Sequence, residues 1–286
     1  MSKKLKEVLK DKLTDEQLQL VPSSFDVVGS KEKAVAIVEI PEELANKEKE
    51  IAGAIMKLQK NVKSVLKKGS AREGEYRTRR YKLLAGDKNT EVVHKEYGYL
   101  LKLDPKKVYF SAREGTERQR IAEMVKAKEF VIVMFGGVGP YAIAIAKKQP
   151  SVEKIVAVEI NKDAVEYMKY NIRVNKLSHK IVPILGDVRV VCKKWYGKCN
   201  RIVMPLPLGA ESFLDIAVKC IHKEGVIHFY SWGKEPDLFS NGIEIINKKL
   251  KSKNVEYKIT NKRIILPYAP REYKVRFDIK VKKLTQ

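Results

Sequence analysis

The residues best suited to chemistry follow four short apolar runs. The first run leads into Gly136-Gly137-Val138-Gly139-Pro140, where glycine lets a ligand approach the backbone and proline suits the first turn of a helix. Glu159 ends the second run and can accept both hydrogen bonds of a ribose diol. Asp187 follows the third run and could bind an adenine amino group, with Val188 packing on the ring. Pro205-Leu206-Pro207 follows the fourth run, where a reacting nucleobase would lie in a methyltransferase.

Two cofactors fit this series. The stretch Gly137–Ala142 matches G-x-G-x-x-A, a pattern that nicotinamide dinucleotides use. A dinucleotide also needs a phosphate cradle and a second nucleotide-binding half. S-adenosylmethionine carries no phosphate and needs only a glycine loop, an acid for the ribose and an acid for the adenine. The series therefore favours an S-adenosylmethionine-dependent methyltransferase, with a nicotinamide oxidoreductase and a non-catalytic binding protein as the alternatives.

The elements that position these residues alternate between strand and helix after Asp104-Pro105. Such alternation predicts an α/β fold with a mostly parallel, doubly wound sheet. The predicted strands are Phe130–Val133, Ile155–Glu159, Ile181–Leu185, Arg201–Met204 and Val226–Tyr230. The predicted helices are Tyr141–Lys148, Asp163–Asn175 and Glu211–Cys220. Two final strands, Glu256–Thr260 and Tyr273–Val281, have no helical pattern between them and predict an antiparallel end of the sheet.

The first hundred residues have a different organisation. A polar helix over Lys3–Leu20 is expected to precede an apolar strand at Ala34–Ile40 and a helix that starts at Pro41. Three further strand-like stretches follow, Tyr81–Leu84, Glu91–Lys95 and Tyr99–Leu103. The sequence thus predicts a small α+β domain over residues 1–103 and a cofactor-binding domain over residues 104–286.

The charge balance indicates a polyanionic partner. Lys and Arg number 58 against 35 Asp and Glu, which gives a net charge of +23. Asn61–Lys82 holds eight Lys/Arg against two Glu, and Asn247–Lys283 holds thirteen against three acids, densities that suit contacts with nucleic-acid phosphates. The three cysteines form no CxxC pair, which argues against a disulfide scaffold or a zinc site. No apolar run approaches a membrane span, so we expect no membrane partner. We also expect a cytoplasmic monomer with no bound metal.

Several short motifs occur in an order that resembles a known family. They are Gly74-Glu75-Tyr76-Arg77, Lys107-Val108-Tyr109-Phe110-Ser111-Ala112-Arg113, Thr116-Glu117-Arg118, Met134–Pro140, Pro183–Asp187 and Gly225–His228. From about residue 24 onward the chain resembles the archaeal and eukaryotic tRNA (guanine-37-N1)-methyltransferases. This resemblance implies a class I, Rossmann-like methyltransferase domain behind an α+β RNA-binding domain. It also implies methyl transfer from S-adenosylmethionine to the purine 3′ of the tRNA anticodon.

The resemblance assigns roles to individual positions. Glu117 matches the family's general base, Arg77 the arginine at the target guanine's O6, and Tyr109 an aromatic near the flipped base. A carboxylate suits the first role because the N1 proton must leave as the methyl group arrives. The predicted cofactor contacts are Tyr109, Arg118, Phe135, Gly137, Gly139, Glu159, Ile160, Asp187, Val188 and Pro205. The predicted tRNA contacts are Arg77, Arg79, Arg80, Tyr109 and Pro207.

Two positions depart from the family pattern. Val133 stands where an aspartate is common, and Pro205 replaces the asparagine of an Asn-x-Pro motif. A changed pocket is consistent with either of two acceptors, N1 of guanine-37 or C7 of the wyosine precursor 4-demethylwyosine. The same departures motivate the alternative of a tRNA-binding protein with a degenerate cofactor site.

Overall fold

The computed structural model describes residues 2–69, 80–251 and 253–284. The chain divides into two compact units, Met1–Ala112 and Arg113–Gln286. The domain boundary predicted after residue 103 falls before the end of the first unit. The RNA-binding role of the first domain stays a prediction.

The first unit is an α+β module. Its four-stranded sheet has the order β1-β2-β3-β4, in which β2 and β3 are parallel and the outer pairs are antiparallel. A separate hairpin joins β5 and β6. The strands are β1 Asp26–Gly29, β2 Ala34–Val38, β3 Val62–Lys68, β4 Tyr81–Gly86, β5 Val92–Glu96 and β6 Tyr99–Leu103. The helices are α1 Ser2–Leu9, α2 Asp15–Leu20 and α3 Glu48–Leu58. Apolar residues of α1 and α3, among them Leu5, Leu9, Ile51 and Ile55, form one buried core with the strands.

The opening segment is two helices rather than the single helix predicted over Lys3–Leu20. The side chain of Thr14 accepts a hydrogen bond from the Gln17 amide, and the Gln17 side chain accepts one from the Thr14 amide. This reciprocal pair is a capping box, which satisfies donors at a helix start. A new helix therefore begins after Thr14.

The second unit is built on a seven-stranded sheet with the order β12-β13-β11-β10-β7-β8-β9. The five strands from β9 to β11 run parallel, while β13 pairs antiparallel with β11 and with β12. The strands are β7 Phe130–Met134, β8 Lys154–Glu159, β9 Ile181–Leu185, β10 Cys199–Met204, β11 Ile221–Lys234, β12 Val255–Ala269 and β13 Glu272–Lys283. The predicted parallel sheet with an antiparallel end is confirmed, although its last three strands are longer than expected.

Six helices of this unit connect its strands or precede them. They are α4 Gly115–Met124, α5 Pro140–Lys148, α6 Lys162–Val174, α7 Val188–Val191, α8 Leu214–Cys220 and α9 Ser240–Leu250. The sequence reasoning missed α9, whose Ile246 and Leu250 join the main core of the sheet. Within the described residues, no helix has both the length and the apolar content to cross a membrane.

Candidate functional site

The turn between β7 and α5 has a backbone that few residues can adopt. Phe135, Gly137 and Gly139 have φ angles of 58°, 54° and 89°. A Cβ atom on Gly139 would lie 2.8 Å from Cγ of Met168, so both its conformation and its surroundings require glycine. Phe135 is not a glycine, and a positive φ there stores strain, which often marks a functional site. The turn leads directly into α5, with Pro140 in its first turn.

Glu159 lies at the end of β8 and joins two of these turns. One carboxylate oxygen, Oε2, accepts a hydrogen bond from the Gly137 amide at 2.7 Å. The other, Oε1, accepts from the amides of Ile160 and Asn161, both at 2.9 Å. Burial raises the pKa of Glu159, and these three amides oppose that shift. A carboxylate has about four acceptor positions, so Oε2 retains capacity for a ligand hydroxyl.

Asp187 has a dual role at the end of β9. Its carboxylate accepts a hydrogen bond from the Arg189 amide at 2.7 Å, which caps the short helix α7. It also pairs with the Arg189 guanidinium, with Nη2 2.8 Å from Oδ2. This side-chain contact holds the pKa of Asp187 below its usual value. An adenine amino group would therefore share the carboxylate with Arg189, and the neighbouring Val188 is buried.

An aromatic pair and a proline turn lie after β7 and β10. The rings of Phe135 and Phe213 meet edge to face with centroids 5.0 Å apart. The guanidinium of Arg189 lies 5.2 Å from the Phe213 centroid, which links this pair to Asp187. Beyond β10, the carbonyl of Pro205 accepts a hydrogen bond from Nζ of Lys274 at 3.0 Å.

Glu117 is the buried carboxylate of helix α4. Only 2% of its surface is exposed. Its Oε1 accepts hydrogen bonds from the Tyr230 hydroxyl, at 2.6 Å, and from Nη1 of Arg276. Its Oε2 has no hydrogen-bond partner among the described residues, and Nη1 of Arg120 lies 3.8 Å from it. Glu117 can therefore accept a proton at Oε2.

The second unit brings together most of the predicted positions. The Gly137 amide donates a hydrogen bond to Glu159. Phe135 contacts Phe213, and Arg189 contacts both Phe213 and Asp187. Arg118 is buried on α4 beside Glu117. Tyr109 and Arg80 lie in the first unit, where both are exposed. Arg77 and Arg79 lie outside the described residues.

Sequence reasoning missed the partners of Glu117. Lys274, Arg276 and Asp278 alternate along β13, and all three are buried. Alternating charges in an apolar strand are usually typical of a solvent-exposed face. The signal lies in the sequence, within the basic stretch Asn247–Lys283. In the structure Lys274 binds Glu114, and Arg276 binds both Glu117 and Asp278.

Comparisons with known proteins agree with this geometry. Residues 92–260 match the TRM5/TYW2 methyltransferase domain, and residues 5–90 match the TYW2 N-terminal domain. A tRNA (guanine(37)-N(1))-methyltransferase Trm5b of Pyrococcus abyssi is 44% identical over 263 residues, which are 92% of this chain and 76% of that protein. The chain belongs to the TRM5/TYW2 methyltransferase family. The resemblance inferred from the sequence motifs is confirmed.

Two further members of the TRM5/TYW2 family illustrate its range. One is the tRNA (guanine(37)-N(1))/4-demethylwyosine(37)-methyltransferase Taw22 of Nanoarchaeum equitans, 29% identical over 90% of this chain and 99% of that protein. The other is a solved complex of aTrm5 with tRNALeu, with a TM-score of 0.83, 39% identity and coverage of 98% of this chain and 78% of that chain. The predicted Rossmann-like methyltransferase fold and the predicted cofactor are confirmed. The nicotinamide alternative and the degenerate-site alternative are not supported.

Proposed function

We propose that this protein transfers a methyl group from S-adenosylmethionine to the purine at position 37 of tRNA. The observation that carries the proposal is Glu117, a buried carboxylate with one oxygen held by two donors and the other free of hydrogen bonds among the described residues. Its unit also carries the glycine turn and the strand-end acids that suit the cofactor. Family membership supports the same reaction.

The residues at the strand ends fit S-adenosylmethionine. Gly137 and Gly139 allow close approach of a ligand to the backbone, and Oε2 of Glu159 can accept a ribose hydroxyl. Asp187 and Val188 offer a polar edge and an apolar surface to the adenine. When bound, S-adenosylmethionine supplies an electrophilic methyl group. These five contacts stay predictions, as do the other predicted cofactor contacts, Tyr109, Arg118, Phe135, Ile160 and Pro205.

The chain's own residues then manage the proton and the charge on the base. Oε2 of Glu117 accepts the proton that leaves N1 of guanine, since a positioned carboxylate can act as a general base. Arg77, to which the sequence resemblance assigns this role, stabilises negative charge that develops at O6. Tyr109 and Pro207 are further predicted contacts of the substrate, and both stay predictions.

The acceptor has a second candidate, C7 of 4-demethylwyosine. Two observations favour this second acceptor. Pro205 stands where the family commonly has an asparagine. The relative Taw22 is named as both a guanine-37-N1 and a 4-demethylwyosine methyltransferase. Methylation at C7 also releases a proton, so a base is needed for either acceptor.

The tRNA partner is supported by the charge of the chain. A net charge of +23 favours association with a polyanion, and Arg79 and Arg80 belong to the dense basic stretch Asn61–Lys82. Recognition of the anticodon loop, the monomeric state and the cytoplasmic location stay predictions.

Methyl transfer to defined tRNAs tests the proposal. Purified enzyme is incubated with S-adenosylmethionine labelled in its methyl group and with a transcript carrying G37 or a matched transcript carrying A37. We expect label in the G37 transcript only. Equal labelling of both transcripts would contradict recognition of position 37, and no label in either, or in tRNA carrying 4-demethylwyosine, would contradict the methyltransferase proposal.

A further inference from the structure

Two strands of the sheet direct donors at a single oxygen of Glu117. Tyr230 of β11 and Arg276 of β13 are directly paired in the antiparallel ladder, so their side chains project from the same face of the sheet. Both bind Oε1, from positions 113 and 159 residues away in the sequence. Oε2 accepts no hydrogen bond among the described residues. The two oxygens of one carboxylate thus have unequal surroundings.

The hydroxyl of Tyr230 is fixed as a donor. Burial is the main cause that raises its pKa well above the usual value, and the neighbouring Tyr141 and Glu117 add to the effect. The hydroxyl therefore stays protonated while it binds Glu117. Nearby Lys274 lies 4.8 Å from the centroid of the Tyr230 ring, which further restrains the ring.

Arg276 also binds a second carboxylate, that of Asp278. Its Nη2 donates to Oδ2 of Asp278 at 3.0 Å, and its Nε lies 2.9 Å from Oδ1. Asp278 also accepts from His228 Nδ1 at 2.6 Å and from Asn261 at 3.0 Å. When Glu117 takes up a proton and becomes neutral, Arg276 still faces the charge of Asp278. Proton uptake therefore leaves no uncompensated buried cation, a state that would be costly.

We propose that Arg276 and Tyr230 are positioning residues that hold Oε1 of Glu117, place a positive charge beside that carboxylate and present Oε2 as the atom that accepts the substrate proton. The inference rests on the proposed function, because it assigns the supports of that reaction's base. Tyr230 and Arg276 lie outside the sequence motifs that carry the resemblance to the family.

The pH dependence of the chemical step distinguishes this role from a purely structural one. Charged or titratable groups face Glu117 from four elements. They are Arg276 and Lys274 on β13, Tyr230 on β11, Tyr141 on α5, and Glu114, Arg118 and Arg120 on its own segment. Removal of the Arg276 charge makes protonation of Glu117 easier. The acid-side midpoint of the rate profile should then move to higher pH, by about 1–3 units for loss of a close opposite charge.

The experiment measures single-turnover methyl transfer to tRNA from pH 5 to pH 8.5 with saturating cofactor. We expect Arg276→Gln to move the acid-side midpoint upward, and Arg276→Lys to restore most of that shift because it keeps the charge. Tyr230→Phe should slow the chemical step about tenfold, the scale of a hydrogen bond to a charged group. Affinities for S-adenosylhomocysteine and tRNA should stay within twofold of wild type.

Glu48→Gln is the control. Glu48 is also a buried residue held in ion pairs, with Lys67 at 2.8 Å and Lys82 at 2.7 Å, but it lies on α3 of the first unit. This variant should lose thermal stability without moving the midpoint. An Arg276→Gln midpoint equal to that of wild type would overturn the inference. If Arg276→Gln does not fold, a Tyr230→Phe chemical rate within twofold of wild type overturns it instead. A wild-type enzyme that transfers no methyl group contradicts the proposed function, whereas an active wild type with unchanged variants contradicts only this inference.

Discussion

Replacing Glu159 with alanine tests the cofactor site most sharply. In the structure Oε1 already accepts two amide hydrogen bonds and Oε2 accepts one. One strong acceptor position therefore remains for a ribose hydroxyl. A hydrogen bond to a charged group contributes about 1.5–3 kcal/mol, which corresponds to an increase of about 10- to 150-fold in the Kd for the cofactor.

The same substitution also affects stability, because the amides of Gly137, Ile160 and Asn161 lose their acceptor. Asn161 is buried, whereas Gly137 and Ile160 are partly exposed. An unsatisfied buried donor costs about 1–3 kcal/mol, so the variant without ligand should melt at a lower temperature than wild type. Isothermal titration with S-adenosylhomocysteine measures the Kd, and thermal unfolding with and without ligand measures the stability.

Glu153→Ala is the control for this experiment. Glu153 is exposed and immediately precedes β8, at the end of the strand opposite Glu159. We expect this variant to bind the ligand like wild type. If Glu159→Ala also binds with wild-type affinity, Glu159 does not contact the cofactor and the reasoning is refuted.

Three other predictions concern the base, the tRNA and the pH dependence of stability. Glu117→Gln should slow single-turnover guanine methylation by ~10²–10⁴-fold, whereas Glu123→Gln, exposed on the same helix, should not; equal rates would show that Glu117 is not the base. Binding of tRNA should weaken steeply with salt, and charge reversal at Arg79 and Arg80 should reduce the slope; salt-independent binding would refute the electrostatic argument. Burial lowers the pKa of His228. Below about pH 6.5 the unfolded chain therefore binds a proton at this histidine that the native protein does not bind. The free energy of unfolding should then fall by up to ~1.4 kcal/mol per pH unit on acidification. Thermal melts should show this loss in wild type and a smaller one in His228→Gln.

The parallel strands were predictable from sequence because they are short apolar runs, of which β7, β8 and β10 are buried on both faces. Ile181–Leu185 was predicted with its observed bounds, and the strand predicted at Phe130–Val133 extends by one residue. Each run ends near a polar residue or glycine that reaches the carboxyl edge. The order of these residues along the chain therefore predicted the nucleoside-binding edge.

The environment of Glu117 was not predictable in the same way. Its partners lie on strands more than a hundred residues away, and pairing at that distance depends on the register of β11 and β13. The alternating charges of Lys274, Arg276 and Asp278 resemble a solvent-exposed face. Glu114 and Glu117 supply opposite charges to the buried Lys274 and Arg276, and Arg276 in turn pairs with the buried Asp278.

Two helices, α2 and α9, differ from the sequence prediction for local reasons. The segment predicted as one helix over Lys3–Leu20 contains a second helix start, because Thr14 and Gln17 form a capping box, a signal that the apolar spacing alone does not contain. Helix α9 was missed although Ile246 and Leu250 share one face. A glycine within it weakens the helical pattern in the sequence.

Nucleoside mass spectrometry of reacted tRNA directly tests methyl transfer to the purine at position 37. Enzyme and S-adenosylmethionine are incubated separately with tRNA carrying G37 and with tRNA carrying 4-demethylwyosine, and the nucleosides are then separated and fragmented. We expect 1-methylguanosine at position 37, a methyl group at C7 of the wyosine precursor, or both, with either product much reduced in the Arg77→Ala enzyme. Unmodified nucleosides from both tRNAs, or a methyl group at another position of the tRNA, would contradict methyl transfer to the purine at position 37.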